Sequence, residues 1–463
     1  MGTISDKLMR IINTKEDIRQ ALISKGYDVP TSIPFKEYAK MISDLPCRVD
    51  SFPDIEGIVA RYSALGLTNE QMAANPVWVD KTGNGHDLQM KNFAWKEGSG
   101  ISDIYPGALV FDGVDDCGVC DNFPILTKEK GYTVVVLRQW DQDFLNTTLT
   151  GGLLSTRNYS TGEGVAFEKI ESSNKGYWNL GAGGIIDFAK SPFTWQTSKQ
   201  YNNVGILKGD KNHGKPLCVG CGLSGGQQCG RFAIWELVFL DHDATEEELT
   251  KIKDYFVKTY PWLFPDQAWT VTGKTNEDED RATIANITGN SNDLVLSNFG
   301  FAEGSGYNEE GEYAGYLVTD GVDDKIISSI FKMGNDWTVI GDWELINTGK
   351  NDNAGIIKFD SIVIYNYNYN SMLINIKNGR NILIPDQNTV NAICSDGRIY
   401  SKDWKESIYN EETESTSKNF LTIGYSGNAY TKIAFKNLAI YPTVLSREDC
   451  IKAYNYLQTL KAK

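Results

Sequence analysis

The chain has 463 residues, 41% of them hydrophobic, and its formal net charge is −15. The length allows two or three domains, and the acidic balance argues against a nucleic-acid partner, because binding to phosphates requires clustered Lys and Arg side chains. No segment approaches the roughly 18 apolar residues of a membrane helix, and the N-terminal segment lacks the apolar core of a signal peptide, so we expect neither membrane insertion nor export by such a signal.

The first predicted elements are two short helices within residues 1–46. Apolar side chains recur at helical spacing in the first helix, at Leu8, Ile11, Ile12, Ile18 and Leu22. Gly26 follows a basic last turn and suits a helix end, and Ser32 suits the start of the second helix. Because two helices this short bury little surface alone, we expect residues 1–46 to form a separate attachment module that docks on a partner or on copies of itself.

From residue 54 the pattern changes to short strands separated by Gly and Asn turns. The strand segments of this first series are "ALVFDG", "YTVVVLRQW", "GGLLSTR", "GVAFEKI", "YWNLGAG", "VGILKG", "PLCVGCG" and "RFAIWELVFL". A helix predicted from Thr245 closes the series, since acidic residues in its first turn precede apolar residues at helical spacing. Strands at this spacing without alternating helices favour an antiparallel sandwich over a parallel α/β sheet.

A second series from residue 265 repeats the first and also ends in a helix, predicted from Ser446. The segment "DGVDD" occurs at 112–116 and again at 320–324, and "TGNGHDLQMKNFAWKEGSG" from Thr82 shares eleven positions with "TGNSNDLVLSNFGFAEGSG" from Thr288. A repeat of roughly two hundred residues suits a whole domain. The sequence therefore predicts a mainly β protein, with tandem antiparallel β-sandwich domains at 54–264 and 265–463 behind the helical module.

The segments that begin and end each series resemble the laminin-G-like, concanavalin-A-like jelly roll. The likeness lies in an apolar strand running into "FDGVDD", in "GYTVVVL", and in a last strand followed by a short helix. The second copy fits the family's ending with Tyr441, Leu445, Ser446 and Glu448. The first copy departs from it with Asp241, Thr245 and Glu248. The resemblance implies two curved antiparallel sheets face to face, and its motifs mark the fold rather than a function.

The N-terminal segment has a different resemblance. "KLMRIINTKEDIRQALISKGYDVPTSIPFKEYAKMISDLP" is similar to the opening segment of tail, fibre and decoration proteins of tailed bacteriophages, notably those of gut Bacteroidales. The resemblance implies that residues 1–46 attach the chain to other virion proteins, ahead of domains that often bind ligands. It also implies a virion location, synthesis in the cytoplasm of the host bacterium and a homo-oligomer, for which fibre proteins suggest a trimer.

The repeated aspartates are the first candidate site. Six carboxylates offer hard oxygen ligands for Ca²⁺, namely Asp112, Asp115, Asp116, Asp320, Asp323 and Asp324. The alternative is a turn after a strand, in which Gly113 and Gly321 reverse the chain and the acids accept hydrogen bonds from backbone amides. We favour the turn, because the motif marks the fold even where no ion binds.

Aromatic side chains are the second candidate, because flat rings stack on the apolar faces of sugars. Strand alternation places Tyr365, Tyr367 and Tyr369 of "YNYNYN" on one face. Trp95 and Trp140 are further candidates for ligand contact, although most tryptophans in a sandwich belong to its core.

Three motifs suggest chemistry and are interpreted as structural. The pairs "CGVC" and "CVGC" have zinc-ligand spacing, but residues three apart on a strand face opposite ways, so we expect buried, reduced thiols. "GLSGG" matches the serine motif of α/β hydrolases but lies between strands, which favours a hairpin turn. "NEDED" at 276–280 lacks the alternating apolar residues of a glycosidase strand, so we predict no catalytic residues.

These observations predict a non-enzymatic bacteriophage virion protein of the fibre or capsid-decoration type, whose jelly rolls contact host-surface polysaccharide. Weak sites gain from display in several copies. One alternative is a purely structural virion protein that makes protein contacts without binding sugar. A third is a capsular polysaccharide depolymerase, which rests on the resemblance alone.

Overall fold

The computed structural model describes residues 15–16, 18–19, 34, 52–127, 129–156, 164–169, 175–178, 185–187, 192–200, 217–223, 227–329, 334–346, 355–359, 362–368, 371–376, 380–384, 390–408, 421–425 and 430–462. The chain divides into two compact units, Met1–Asp54 and Ile55–Lys463.

Few residues of the first unit are described. Lys15, Glu16, Ile18 and Arg19 are helical. Arg19 forms an ion pair with Glu16, with 2.7 Å between Nη2 and Oε1, a spacing that stabilises a helix modestly. The remainder of the predicted helical module lies outside the described residues and stays a prediction.

The first half of the second unit is a β-sandwich. Its strands are β1 (Ile58–Ser63), β2 (Val77–Trp78), β3 (Leu88–Lys91), β4 (Gly100–Ile101), β5 (Leu109–Asp112), β6 (Cys117–Cys120), β7 (Thr133–Trp140), β8 (Gly151–Ser155), β9 (Ala166–Lys169), β10 (Lys175–Trp178), β11 (Ile185–Asp187), β12 (Phe193–Thr197), β13 (Leu217–Val219), β14 (Cys221–Leu223), β15 (Gln227–Cys229) and β16 (Arg231–Leu240). One sheet has the order β12-β7-β16-β5-β4, with β1 also paired to β16, and the other has the order β11-β10-β9-β8-β13-β6-β3-β2, with β14 and β15 beside β8.

The second half is another β-sandwich. Its strands are β17 (Gln267–Thr270), β18 (Thr283–Ile284), β19 (Leu294–Ser297), β20 (Gly306–Tyr307), β21 (Leu317–Val318), β22 (Lys325–Ser328), β23 (Thr338–Leu345), β24 (Gly355–Phe359), β25 (Ile362–Asn368), β26 (Ser371–Ile376), β27 (Arg380–Ile384), β28 (Val390–Cys394), β29 (Arg398–Ser401), β30 (Glu406–Ile408), β31 (Leu421–Ile423) and β32 (Ile433–Tyr441). Its sheets have the orders β20-β21-β32-β23-β28-β29-β30, with β17 on β32, and β18-β19-β22-β31-β24-β25-β26-β27.

The two sandwiches share one strand order. The order β12-β7-β16-β5-β4 corresponds to β28-β23-β32-β21-β20, and the order β11-β10-β9-β8-β13-β6-β3-β2 corresponds to β27-β26-β25-β24-β31-β22-β19-β18. The second sandwich adds β29 and β30 at one edge, and the first adds β14 and β15. Among the described strands, neighbours pair antiparallel apart from the single contact of β15 with β8. The sequence repeat is therefore a repeat of topology, and the predicted mainly β, antiparallel fold is confirmed. The predicted strand "VGILKG" lies outside the described residues.

Each sandwich has its own core between its two sheets. In the first, Tyr62, Phe111 and Phe239 of one sheet pack with Leu88 and Phe167 of the other. In the second, the core contains Trp269, Leu317, Leu438, Leu294 and Ile357. Alternation along each strand supplies these inward side chains, which is why the period of two in the sequence predicted the strands.

In the described part of residues 55–463, four helices accompany the strands. They are α1 (Asn69–Ala74), α2 (Gln142–Leu145), α3 (Glu246–Thr259) and α4 (Arg447–Gln458). The same described part contains 3₁₀ turns at Ser198–Gln200 and Pro261–Leu263. The helices predicted from Thr245 and from Ser446 are α3 and α4. Thr245 and Glu248 form a capping box at the start of α3, and Ser446 caps α4. No helix in the described part of the chain is long and apolar enough to cross a membrane.

Helix α4 of the second sandwich also contacts the first. Tyr456 of α4 donates a hydrogen bond from its hydroxyl to Gln139 Oε1 at 3.1 Å, and its ring lies 6.1 Å from that of Trp235 on β16. Lys461 forms an ion pair with Asp143. Because Trp235 and Tyr456 are both buried, these contacts fix the two sandwiches to each other.

The residues repeated in sequence make the same hydrogen bonds in both sandwiches. Asn69 bonds the backbone of Ile101 through both side-chain atoms, and Asn276 bonds Tyr307 in the same way. A Cβ at Gly100 would lie 2.3 Å from Asn69 Oδ1, so only glycine fits this contact. The repeated motifs therefore hold the loops that join the strands.

Candidate functional site

The first DGVDD turn is held by its own acids. Asp112 Oδ1 accepts a hydrogen bond from the Val114 amide at 2.8 Å, and Asp116 Oδ2 accepts one from the Asp112 amide at 3.0 Å. Asp116 Oδ1 accepts a third from the Ser99 hydroxyl at 3.1 Å. Gly113 has a φ of +77°, a conformation that favours glycine. These bonds close the turn between β5 and β6.

The second turn repeats this geometry. Asp320 Oδ1 accepts from the Val322 amide at 2.7 Å, and Asp324 Oδ2 accepts from the Asp320 amide at 2.7 Å. Burial raises the pKa of Asp324 to about 6, and it raises the pKa of Asp116 to about 6 as well. Both carboxyls are thus held in an environment that disfavours their charge.

The structure does bring the predicted calcium ligands together. In each turn, one oxygen from each of the three acids lies within 4.8 Å of the others. The sets are Asp112, Asp115 and Asp116, and Asp320, Asp323 and Asp324. Backbone amides donate hydrogen bonds to these acids, as the turn interpretation requires. The structure therefore favours a turn, and calcium binding stays a prediction.

The structure separates the predicted aromatic residues. Trp140 is fully buried and packs on Phe144 and Phe232 at 5.9 and 5.1 Å between ring centroids, so it belongs to the core of the first sandwich and does not reach a ligand. Trp95 is half-buried and stacks on Phe93 at 4.8 Å. Its φ of +51° places it in a loop.

The tyrosine row falls largely outside the described residues. Tyr365 and Tyr367 lie on β25, but their side chains are not among those described, and Tyr369 lies outside the described residues altogether. Contact of this row with a ligand stays a prediction.

A different aromatic cluster lies on the outer face of the second sandwich. We call it the tyrosine–acid patch, and it comprises Tyr313, Tyr316, Asp342, Glu344, Trp404 and Tyr454. Strand β23 supplies the two acids, α4 supplies Tyr454, and loops supply the other three residues. Every member is partly exposed. The patch therefore combines flat rings, hydroxyls and carboxylates at the surface.

Asp342 is the centre of the tyrosine–acid patch. Its Oδ1 accepts a hydrogen bond from the Tyr316 hydroxyl at 3.0 Å, and Lys436 Nζ lies 4.0 Å from its Oδ2. Tyr454 also bonds this carboxylate. Burial, followed by the charge of Asp342, raises the pKa of Tyr316 and of Tyr454, so both hydroxyls stay protonated at neutral pH.

Rings and charges frame this centre. The Trp404 and Tyr454 rings meet edge to face with centroids 5.6 Å apart. Lys436 Nζ lies 5.7 Å from the centroid of the Tyr316 ring. Glu344 is 30% exposed and lies 3.7 Å from Lys402 Nζ. Such a surface offers a sugar both a stacking face and hydrogen-bond partners.

The equivalent face of the first sandwich carries different residues. Strand pairing places Leu137 where the second has Asp342, since these residues pair with Glu236 and Asn437 at equivalent points of β16 and β32. Trp235 stands where the second sandwich has Lys436, and it is buried. Helix α4 covers this face of the first sandwich, so the patch belongs to the second copy alone.

Sequence reasoning missed the tyrosine–acid patch, although part of its signal was present. The strand "TVIGDWEL" places Asp342 and Glu344 two residues apart, on one face, with Trp343 directed into the core. Only "NEDED" was considered as a pattern of paired acids, and it forms turns in which Lys274 contacts Asp280 at 2.6 Å. The tyrosines come from distant segments that no local pattern connects.

Four cysteines, Cys117, Cys218, Cys221 and Cys229, lie in one buried cluster, but among the described residues the groups that could hold a metal ion are the two aspartate sets. Cys117 lies in a small cluster outside the main core while Cys120 lies within that core, so this pair faces opposite ways as predicted. The expectation of reduced thiols is corrected at one position, because Cys221 forms a disulfide with Cys229 across the paired strands β14 and β15. Those antiparallel strands flank "GLSGG", as a hairpin requires, and residues 224–226 lie outside the described residues.

No protein-family model and no curated protein matches this chain. Among solved structures, Trypanosoma rangeli sialidase in complex with sialic acid is similar at a TM-score of 0.31 and 8% identity, with 75% of this chain and 62% of the sialidase covered. The botulinum neurotoxin type G receptor binding domain is similar at a TM-score of 0.26 and 12% identity, covering 41% and 50%. The chain spans less than two thirds of the sialidase. These similarities are too low to assign a function, and the fold rests on the sheet topology.

Proposed function

We propose that this chain is a non-enzymatic bacteriophage virion protein that contacts host-surface glycan through the tyrosine–acid patch. The observation that carries the glycan contact is the exposed grouping of Tyr316, Trp404 and Tyr454 around the Asp342 carboxylate. Rings provide the stacking surface, and fixed hydroxyls and carboxylates provide orientation.

The virion part of the proposal is supported by the N-terminal segment. Residues 1–46 resemble the attachment segment of tailed-phage fibre and decoration proteins, and they belong to a compact unit distinct from residues 55–463. An attachment module ahead of a ligand-contacting module suits display of several copies, which raises the avidity of weak sites. A trimer is the proposed assembly.

A glycan array tests the glycan contact. The full chain, biotinylated and displayed on streptavidin, is expected to bind at least one bacterial surface polysaccharide. Trp404→Ala and Tyr316→Ala each remove a ring, and we expect each to weaken binding about tenfold. Trp195→Ala is the matched control, because Trp195 is an exposed tryptophan of the first sandwich, 37% accessible and outside the patch.

The outcomes separate the proposed role from a purely structural one. Loss of binding in the two patch variants with retention in Trp195→Ala supports the proposal. Absence of any bound glycan for the multivalent wild-type chain refutes glycan contact. Immunogold labelling of purified particles tests the virion part independently, and particles that do not label with antibody to this chain contradict it.

One observation favours a depolymerase as a second candidate. Asp342 and Glu344 lie two residues apart on β23, so both carboxylates leave the same face, as paired acids do in glycosidases. Release of reducing ends from capsular polysaccharide, abolished by Glu344→Gln, would establish this activity. Under the proposed function no release is expected from the wild-type chain.

A further inference from the structure

The two sandwiches enclose a cleft at their junction. It has a volume of about 400 Å³, a size typical of small-ligand sites. Phe264 and Leu460 contribute to its apolar lining, and Lys253, Asn290 and Lys461 contribute polar groups. We name this feature the junction cleft. It lies apart from the tyrosine–acid patch, and none of the patch residues lines it.

Comparison of the two copies shows why the cleft is open. The Arg61 amide bonds Asp80 Oδ1 in the first sandwich, and the Ala268 amide bonds Asn286 Oδ1 in the second, so Arg61 and Ala268 occupy equivalent positions. Ala268 lines the cleft. The small side chain of Ala268 leaves space where the first copy has a long one.

In the first copy the equivalent space is filled. The Arg61 guanidinium donates to Glu236 at 3.1 Å and to the Tyr255 hydroxyl at 2.8 Å. In the second copy Tyr456 of α4 takes the place of Tyr255 of α3, and its hydroxyl turns to Gln139 of the first sandwich. The two copies therefore differ at this position: the first has a filled ion-pair site, and the second has an open cleft.

We propose that the junction cleft binds a carboxylated monosaccharide. Lys253 is exposed and has no ion-pair partner among the described residues, so its ammonium is available for a carboxylate. Lys461 carries a second positive charge and is held by Asp143.

The other lining groups suit the rest of a sugar. Asn290 offers an amide, and the Asp266 carboxylate accepts hydrogen bonds from hydroxyl groups. Phe264 and Leu460 provide an apolar surface for the CH face of the ring. A neutral sugar would leave Lys253 without its counter-charge, and a simple anion would leave the apolar surface uncovered. This inference goes beyond the proposed function, because it concerns another surface and another ligand.

Titration calorimetry of the full chain with D-glucuronic acid tests the proposal, with D-glucose as the neutral control. We expect saturable millimolar binding of glucuronate and at least tenfold weaker binding of glucose. Lys253→Gln is expected to weaken glucuronate binding at least tenfold. Ala268→Arg fills the cleft as in the first copy and is expected to abolish binding. Lys251→Gln is the matched control, since Lys251 lies on the same helix and pairs with Glu247 outside the cleft.

Each outcome supports or overturns the proposal that the junction cleft binds a carboxylated sugar. Loss in Lys253→Gln and Ala268→Arg with retention in Lys251→Gln supports the junction cleft as the site. No saturable binding by the wild-type chain up to about 50 mM overturns the proposal, as does equal binding of glucose or an unchanged affinity in Lys253→Gln. Thermal unfolding checks that Ala268→Arg is folded. Trp404→Ala is expected to bind glucuronate normally, so failure of this site and failure of the patch are distinguishable.

Discussion

Asp116 and Asp324 show how a repeated residue can serve the fold at an electrostatic cost. Each is fully buried, and each has a pKa raised to about 6 by that burial. Because the folded-state pKa lies above the ordinary value of 3.8, the protonated form favours folding. That contribution is complete below about pH 4 and is lost as the pH rises through about 6.

The pH dependence of stability checks this assignment. Replacing both groups in Asp116→Asn/Asp324→Asn removes their titration, so the fall in unfolding free energy between pH 4 and pH 7 should shrink. We expect a difference of about 1–2 kcal/mol for each site, after allowance for screening. Urea unfolding at the two pH values gives the measurement. Asp115→Asn is the control, because Asp115 is exposed at the tip of the turn.

An unchanged pH slope in the double variant would contradict the burial of these carboxyls. The sequence identified both aspartates as important, since "DGVDD" occurs twice. It favoured a turn acid over a metal ligand but could not identify the partners of these acids, because Ser99 and the backbone amides are brought close only by folding. Whether Trp140 is buried or contacts a ligand could not be predicted for a similar reason, since the face that it occupies depends on the register of β7.

At the scale of elements, β1, β16 and α3 are joined by a buried ion pair. Glu236 of β16 contacts Arg61 of β1 at 3.1 Å and accepts a hydrogen bond from Tyr260 at 2.7 Å. Burial raises the pKa of Glu236, while Arg61 and Tyr260 act to lower it. The second sandwich has Asn437 and Ala268 at the corresponding positions. The first copy thus has an ion pair at this position, and the second copy has two uncharged residues.

This comparison predicts strong coupling between the two residues. Arg61→Ala leaves Glu236 buried without its main partner and is expected to cost about 3–5 kcal/mol of unfolding free energy. The double variant Arg61→Ala/Glu236→Asn copies the second sandwich and should recover at least about 1 kcal/mol of that loss. Denaturant unfolding of the single and double variants provides the test. Additive losses would show that the pair does not act as a unit.

Elements were predicted well where the apolar pattern is local. The strands β7, β16 and β32 follow from their short apolar runs, and α3 follows from its acidic first turn and apolar spacing. The tyrosine–acid patch could not be predicted in the same way. It joins β23 with α4 and with loops far apart in sequence, and these segments meet only in the folded chain.

At the scale of the whole molecule, α4 makes the two sandwiches one unit. Residues 55–463 form a single compact unit, and Tyr456 connects its halves by packing on Trp235 and bonding Gln139. The junction "TYPWLFPDQAW" is short and partly apolar, which is typical of neighbouring domains that touch. It did not indicate that a helix at the far end of the chain makes the contact, since Tyr456 lies 317 residues from Gln139.

Removing the Tyr456 ring should therefore uncouple the two halves. Tyr456→Ala loses the buried ring and is expected to lower the unfolding free energy by about 3–5 kcal/mol. It is also expected to split one calorimetric transition into two, because each sandwich retains its own core. Tyr456→Phe is the matched control, because it keeps the ring on Trp235 and loses only the hydrogen bond to Gln139. It should lower the unfolding free energy by about 1 kcal/mol and keep a single transition. Two transitions already present in the wild-type chain, or a single transition in Tyr456→Ala, would show that this contact does not couple the sandwiches. Coupling of the two sandwiches holds the junction cleft at a fixed width. Tyr456→Ala should therefore also weaken the binding of any ligand in that cleft.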